Sequence, residues 1–479
     1  MMHLALFAVD EAKRHGASYS DARVTDDPRE DLSVKNDQLV GCNQGHSRGI
    51  GIRVIASGAW GFASSNDLTK ASIQKTAKLA VAVAKASALA RQEPVQLAPT
   101  KPQKAVWRHE VLRDPFKVPI QEKIEMLLNT SQAVRKVKGV TFAHASMSFK
   151  RVQQWLATSE GHDIDQVIVR SGAGFSAVAV KNGEVQIRSF PNSFGGQFEQ
   201  RGYELIDRMK MVDSAQQMGE EAVALLSAPI CPQGPKDLII GSSQMALQIH
   251  ESCGHPIELD RVLGEEAGFM GTSFLTPDQR GVLKYGSPLV SIVADETSEG
   301  GLGTYGFDDE GTPAQKWDIV RDGLFKGYLT SREAALKIGE PSSRGCVRAE
   351  SWNRLPMIRM VNVSLVPKKG TLKDLIADTS NGLYIEGTRS WSIDQKRLNF
   401  HFAAEIGWEI KNGKKGRMIK NPRYNGMTPV FWNACDAICG PEEWKLWGVP
   451  NCGKGEPMQV AEVSHGASPA RFRQVSVGV

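Results

Sequence analysis

His250, Glu251 and His255 stand close together in the run HESCGHPIELDR. Neutral imidazoles bind zinc, and a carboxylate beside the first of them can take a proton from a metal-held water. The run nearly spells H-E-x-x-H, but the second histidine comes one residue late. On a regular helix, side chains five apart diverge by about 140°, so these two could not share an ion. Gly254 permits unusual backbone dihedrals, and Pro256 lacks the N–H that would bond the carbonyl of Ser252. A π-type turn between Glu251 and His255 is therefore expected, absorbing the extra residue and bringing the imidazoles together. The same three residues would also describe the polar face of a surface helix; a third ligand separates the two readings.

Cysteine can supply that ligand. Cys253 lies three residues after His250, on the same face of a regular helix, though a small buried thiol is its commoner role. Cys452 lies in VPNCGKGEP, where glycines and prolines predict a tight loop able to present a thiolate. Cys435 and Cys439 form C-x3-C without a second pair at ribbon spacing, and read as core or helix-face thiols. Residue mechanics alone leave Cys253 and Cys452 both open. GLGTYG at 301–306 imitates a dinucleotide loop, but FDDEGTP follows where a helix N-terminus is required. GVPNCGKG at 448–455 imitates a phosphate loop, but Gly455 stands where the magnesium-binding hydroxyl belongs.

The elements that must position these residues are spread over 479 positions, enough for two or three domains. An opening helix is expected over about 2–15, followed by alternating half-buried strands and a strand through Ile50, Ile52, Val54 and Ile55. Ile73, Ala77, Ala80 and Ala84 recur at helical spacing within Asp67 to Arg91. Further helices are expected over Pro119 to Val137 and about 205–226, with strands between them and a KNG hairpin at 181–183. CPQGPKD, at 231–237, reads as a linker. Beyond it, helices are expected around 242–253, 331–338 and 371–377, amid strands and glycine turns. The fold class expected is α+β: an N-terminal mixed α/β domain over 1–230, then a β-rich domain over 238–479 carrying the active-site helix.

A net charge of +5 comes without a basic run beyond KNGKKGR, which reads as a turn, so no nucleic-acid partner is expected. No apolar run approaches a membrane span, and the start lacks the marks of a secretory signal. Seven scattered cysteines fit a reducing compartment, with the cytoplasm as the expected location.

Along its length the chain resembles the TldD/PmbA family of metallopeptidases. HESCGHPIELDR fits that family's H-E-x-x-G-H-x-x-E-x-D pattern. So do IVADETSEGGLGTYGFDDEGTPAQ, DGLFKGYLTSREAA and RMVNVSLVPKKGT, and GIGIRVIASGAWGFASS in the N-terminal half. The resemblance implies a two-domain zinc peptidase with His250, His255 and Cys452 as ligands to Zn2+ and Glu251 as general base and acid. It implies the motif-bearing TldD type, acting on unstructured peptides in an enclosed cavity, as a homodimer or with a PmbA/TldE-like partner. Glu258 or Asp260 would orient a ligand histidine; the bland alternative for both is a solvated helix end. Two departures stand out: GKGEPMQVAEVSHGASPARFR follows Cys452 where a GQ-type segment is familiar, and Leu259 occupies a position where a small residue is common. The rival reading is a non-catalytic or regulatory subunit with a vestigial metal site. Hydrolysis of a non-peptide amide would share all the chemistry.

Overall fold

The computed structural model describes residues 1–478. Its architecture is α+β, mixed in the N-terminal half and β-rich beyond. Alternation in the sequence builds the first sheet from β1 (Tyr19–Lys35), β2 (Gln38–Ala56), β3 (Ala59–Ser65), β4 (Lys104–Arg108), β5 (Val140–Thr158), β6 (Asp163–Lys181), β7 (Glu184–Phe190) and β8 (Gln197–Glu199). The order is β3-β2-β1-β5-β6-β4, with β7 and β8 also paired to β6, and every pairing except β4–β6 is antiparallel. The expected KNG turn joins β6 to β7, with Asn182 and Gly183 at φ 52° and 80°.

Four helices cover one face of this sheet. Helices α1 (Met2–Arg14) and α2 (Lys70–Ser87) meet Ala22, Val24, Ile50, Ile52 and Val54. Helices α3 (Ile120–Arg135) and α5 (Met211–Leu225) meet Leu32, Val34, Phe149 and Phe175. The helix expected over 205–226 is two: α4 (Glu204–Met209) ends where Lys210 adopts a left-handed φ of 49° before α5. Because strand side chains alternate, the even-numbered residues of β1 meet the helices and the odd-numbered ones face the other way. That second face is polar, carrying Arg23, Thr25, Asp27, Arg29 and Asp31, and it meets the C-terminal half. Ion pairs cross the junction: Arg23 to Asp309 at 2.8 Å, Lys150 to Glu462 at 3.2 Å and Arg188 to Glu405 at 2.9 Å.

In the C-terminal half the strand Gly234–Ile240 starts inside the segment read as a linker. It pairs with Asn381–Ile393 on one side and Ala470–Val477 on the other. Ala470–Val477 pairs with Arg423–Met427, which pairs with Asn399–Lys411. Asn399–Lys411 returns to Asn381–Ile393, so five strands close a ring. Helices Arg332–Lys337 and Leu372–Ala377 fall where spacing predicts them, and Thr428–Asn433 and Leu259–Val262 add two short ones. The short helix at 428–433 carries Phe431 and Trp432 into an aromatic core with Phe400, Tyr424 and Phe472. No helix among the described residues is long and apolar enough to cross a membrane.

Asp27 on the polar face has little compensation for its burial. Burial lifts its carboxyl from 3.8 to about 6, against the pull of Lys150 and the Thr25 hydroxyl. The folded protein therefore keeps a proton that the unfolded chain has already released, and stability falls as pH rises from about 4 to about 6. Asp27→Asn is expected to raise stability by roughly 2–3 kcal/mol at pH 7 and to leave it unchanged near pH 3.5. Denaturant unfolding at the two pH values checks this; equal effects at both would contradict it.

Candidate metal centre

Helix α6 (Ser242–Ile249) leads directly into the motif. The helix then widens into a π turn over His250–Gly254, in which the His255 N–H bonds the His250 carbonyl, and tightens into a 3-10 turn over His255–Ile257. The π turn expected from the spacing is present. Gly254, however, has ordinary right-handed dihedrals (φ −59°, ψ −55°). Gly254 instead packs against Met360: a Cβ there would lie 2.1 Å from the Met360 Sδ, so that buried side chain would have to shift. Pro256 acts as expected: it leaves the Ser252 carbonyl without its helical partner, and the Tyr285 hydroxyl fills the vacancy at 2.8 Å. Trp432 donates to the Ser252 hydroxyl at 3.0 Å, and Gln248 to the same oxygen at 3.1 Å. The distorted turn is thus pinned from three sides by buried groups.

The consequence is that the His250 and His255 rings lie 4.8 Å apart, nearly perpendicular. Cys452 joins them, and one donor atom from each of the three residues lies within 4.8 Å of the others. Cys452 sits on the strand Lys445–Lys454, immediately after a break in the strand register between Val449 and Cys452, rather than in the expected loop. Cys253 points away, buried against Tyr285, and burial pushes its thiol up to about 12. Cys435 and Cys439 are buried in the core, their thiols also pushed up to about 12 by burial.

Hydrogen bonds determine which ring nitrogens are free. The Val363 carbonyl can only accept, so the proton of His465 is on Nδ1, 2.9 Å away. The bare Nε2 of His465 then accepts from His250 Nδ1–H at 2.8 Å, leaving His250 Nε2 with its lone pair. His255 Nδ1–H donates to Glu258 at 2.9 Å, leaving its Nε2 facing the Cys452 sulfur at 3.9 Å. Burial holds both imidazoles below their ordinary pKa. Burial would raise the Cys452 thiol, but the adjacent His255 and then Arg359 hold it below its ordinary value. Two imidazoles with free Nε2 atoms and a cysteine sulfur suit a borderline-soft divalent ion such as zinc.

Glu258 and Asp260 are both buried, so this is no solvated helix end. Glu258 contacts His255; burial would raise its carboxyl, but Lys454, His255 and Arg261 hold it well below the usual carboxylate range. Asp260 touches neither histidine and instead accepts from Lys454 at 2.7 and 2.8 Å. His465, Lys454 and Arg397 were not singled out by motif spacing. The first two come from the segment after Cys452 that departs from the family pattern. Arg397 donates to Glu251 Oε2 at 3.2 Å. His250, Glu251, His255, Cys452 and Arg397 line one cavity of about 800 Å³, between the metal-ligand cluster and the polar wall of β1, β5 and β6. Gly301–Gly306 lies nearby with its backbone engaged: Leu302 and Gly303 donate to Ser464 and Asn362.

Three family models match the chain: PmbA/TldA metallopeptidase domain 1 over residues 20–84, the central domain over 113–228 and the C-terminal domain over 233–478. A metalloprotease of Methanocaldococcus jannaschii is 28% identical, covering 93% of this chain and 94% of its own. A zinc metalloprotease TldD homolog of Saccharolobus solfataricus is 21% identical over 98% of each chain. Among solved structures, a putative modulator of a DNA gyrase from Thermotoga maritima is similar with TM-score 0.78 and 16% identity over 99% of each chain. TldE from Thermococcus kodakarensis is similar with TM-score 0.77 and 15% identity over 98% of this chain and 99% of its own. At those identities the structures speak to the fold.

The close approach of Met360 generates a test of the π turn. Gly254→Ala should lower stability by about 1–3 kcal/mol through overpacking, against the usual gain of an alanine in a helix. Thermal melting checks this, and an unchanged or higher Tm would show that the turn tolerates a Cβ.

Proposed function

The chain belongs to the PmbA/TldD metallopeptidase family, and from that premise we propose that it is a zinc-dependent peptidase acting on unstructured peptides. The observation that carries the reading is the convergence of His250, His255 and Cys452 with Glu251 beside them on one cavity. His250 and His255 would hold the ion through Nε2, and Cys452 through Sγ. When bound, zinc supplies a Lewis acid and a water of lowered pKa at an open fourth position.

The protein's own groups do the rest. Glu251 takes the proton of the attacking water and passes it to the departing amine. Glu258 holds His255 in the tautomer that frees Nε2, and His465 does the same for His250. Cys452 contributes a negative charge that tightens binding of the ion. The cavity, about 800 Å³ and walled by β1, β5 and β6, has room for an extended peptide segment and none for a folded domain. That supports unstructured chains as the substrate class. We place the protein as the motif-bearing subunit of a pair, with a second copy or a TldE-like partner, on the strength of its fold similarity to a solved TldE. The rival reading, a non-catalytic subunit, leaves unexplained why Glu251 is kept beside the ligand cluster and facing the cavity.

Metal analysis combined with an assay on casein tests the proposal. The purified chain is expected to carry about one zinc; Cys452→Ala should lose it, and Cys253→Ala should keep it. Glu251→Gln should retain zinc while its kcat falls by about 10²–10⁴, the range for loss of a general base. Full activity in zinc-loaded Glu251→Gln protein would sink the mechanism, and absence of zinc from the wild-type protein would favour the non-catalytic reading.

A further inference from the structure

Arg397 occupies a place that no motif announces. It sits at the tip of the hairpin between strands Asn381–Ile393 and Asn399–Lys411, with a left-handed φ of 60°. Long side chains seldom adopt that conformation unless their surroundings impose it. Here they do. The Arg397 N–H bonds the Asp394 carbonyl at 2.9 Å, and the Asp394 carboxylate accepts from the N–H groups of Leu398 and Asn399. The carbonyls of Gln395 and Lys396 accept from Thr272 and Phe274, and that of Arg397 from the Thr428 hydroxyl. A fully pinned turn thus delivers one guanidinium to the candidate metal site.

There the guanidinium has partners for only part of its hydrogen-bonding capacity. Nη1 donates to Glu251 Oε2 at 3.2 Å and Nη2 to the Met270 carbonyl at 3.1 Å. Five N–H groups are available on an arginine, so each Nη keeps a second N–H beyond these bonds. The side chain lines the same cavity as Glu251, His250 and Cys452.

We propose that Arg397 is a catalytic residue that follows the negative charge from Glu251 to the carbonyl oxygen of the scissile peptide bond. The inference rests on the peptidase reading above. In the attack step a water O–H bond breaks and its proton goes to the Glu251 carboxylate, which becomes neutral. The water oxygen forms a bond to the carbonyl carbon, and the C=O π pair moves onto the carbonyl oxygen. The charge facing Arg397 therefore leaves Glu251 as an equal charge appears on the substrate. A rigidly held guanidinium with an unassigned N–H on each Nη can stabilise both states without reorganising, which is what favours the transition state over the ground state.

Arg397→Ala and Arg397→Lys test this, each checked for zinc content and thermal melting. The probes are a peptide cleaved by the wild-type protein and a phosphinic pseudopeptide of the same sequence, whose tetrahedral anion imitates the reacting carbonyl. In Arg397→Ala, kcat is expected to fall about 10²–10³, as on removing one donor to a developing oxyanion. Affinity for the phosphinic compound should fall by a similar factor, measured by calorimetry. Zinc content should be unchanged, as should affinity for the uncleaved peptide measured on a Glu251→Gln background. Arg397→Lys, which keeps the charge but loses the fork, should recover part of both losses. If phosphinic affinity falls no more than peptide affinity in both variants, Arg397 merely positions Glu251 and the proposal is overturned. If the wild-type protein carries no zinc and cleaves nothing, the peptidase reading itself has failed and takes this one with it.

Discussion

The site depends on one widened turn of helix. At about 100° per residue, His250 and His255 would point to opposite sides of an α-helix. The π turn removes that divergence and sets the rings 4.8 Å apart. Such a turn loses regular backbone hydrogen bonds, and Pro256 removes another. The molecule compensates with Tyr285 on the Ser252 carbonyl and with Trp432 and Gln248 on the Ser252 hydroxyl. The aromatic core around Trp432 is therefore part of the geometry of the histidines as well as a source of burial energy.

Around that turn, charge is arranged so that each buried group has an opposite or complementary neighbour. Glu258 meets His255, Arg261 and Lys454; Asp260 meets Lys454; Glu251 meets Arg397. Buried carboxylates without partners would be neutralised rather than ionised, and Lys454, His255 and Arg261 hold Glu258 well below the usual carboxylate range despite its burial. The histidines form the complementary case. Two short relays, Val363 through His465 to His250 and Glu258 to His255, fix the tautomers and leave both Nε2 atoms bare. A donor set of this kind is prepared before any ion arrives, which limits the reorganisation that binding would require.

Much of the frame was legible along the chain. Alternating residues in β1 and β2, the spacing of Ile73, Ala77, Ala80 and Ala84, and the KNG turn each obey local rules that operate over a few residues. The break at Lys210 and the short helix at 428–433 were not legible, because there tertiary packing overrides local pattern. Gly254 shows the difference in kind: its presence could be read as a helix irregularity, but what it packs against is Met360, over a hundred residues away.

By itself the sequence determined that two imidazoles and a carboxylate fall within six residues, that their spacing needs a π turn, and that Pro256 would disturb the helix there. Those are consequences of helical period and covalent geometry, which act locally. Residue spacing left Cys253 and Cys452 both open, with only the family resemblance pointing to Cys452; the tertiary structure put Cys452 beside the histidines, gave Glu258 and not Asp260 to His255, and brought in His465, Lys454 and Arg397. Each of those choices depends on strands and hairpins distant in sequence closing on one cavity, and such approach in space has no period along the chain from which it could be read.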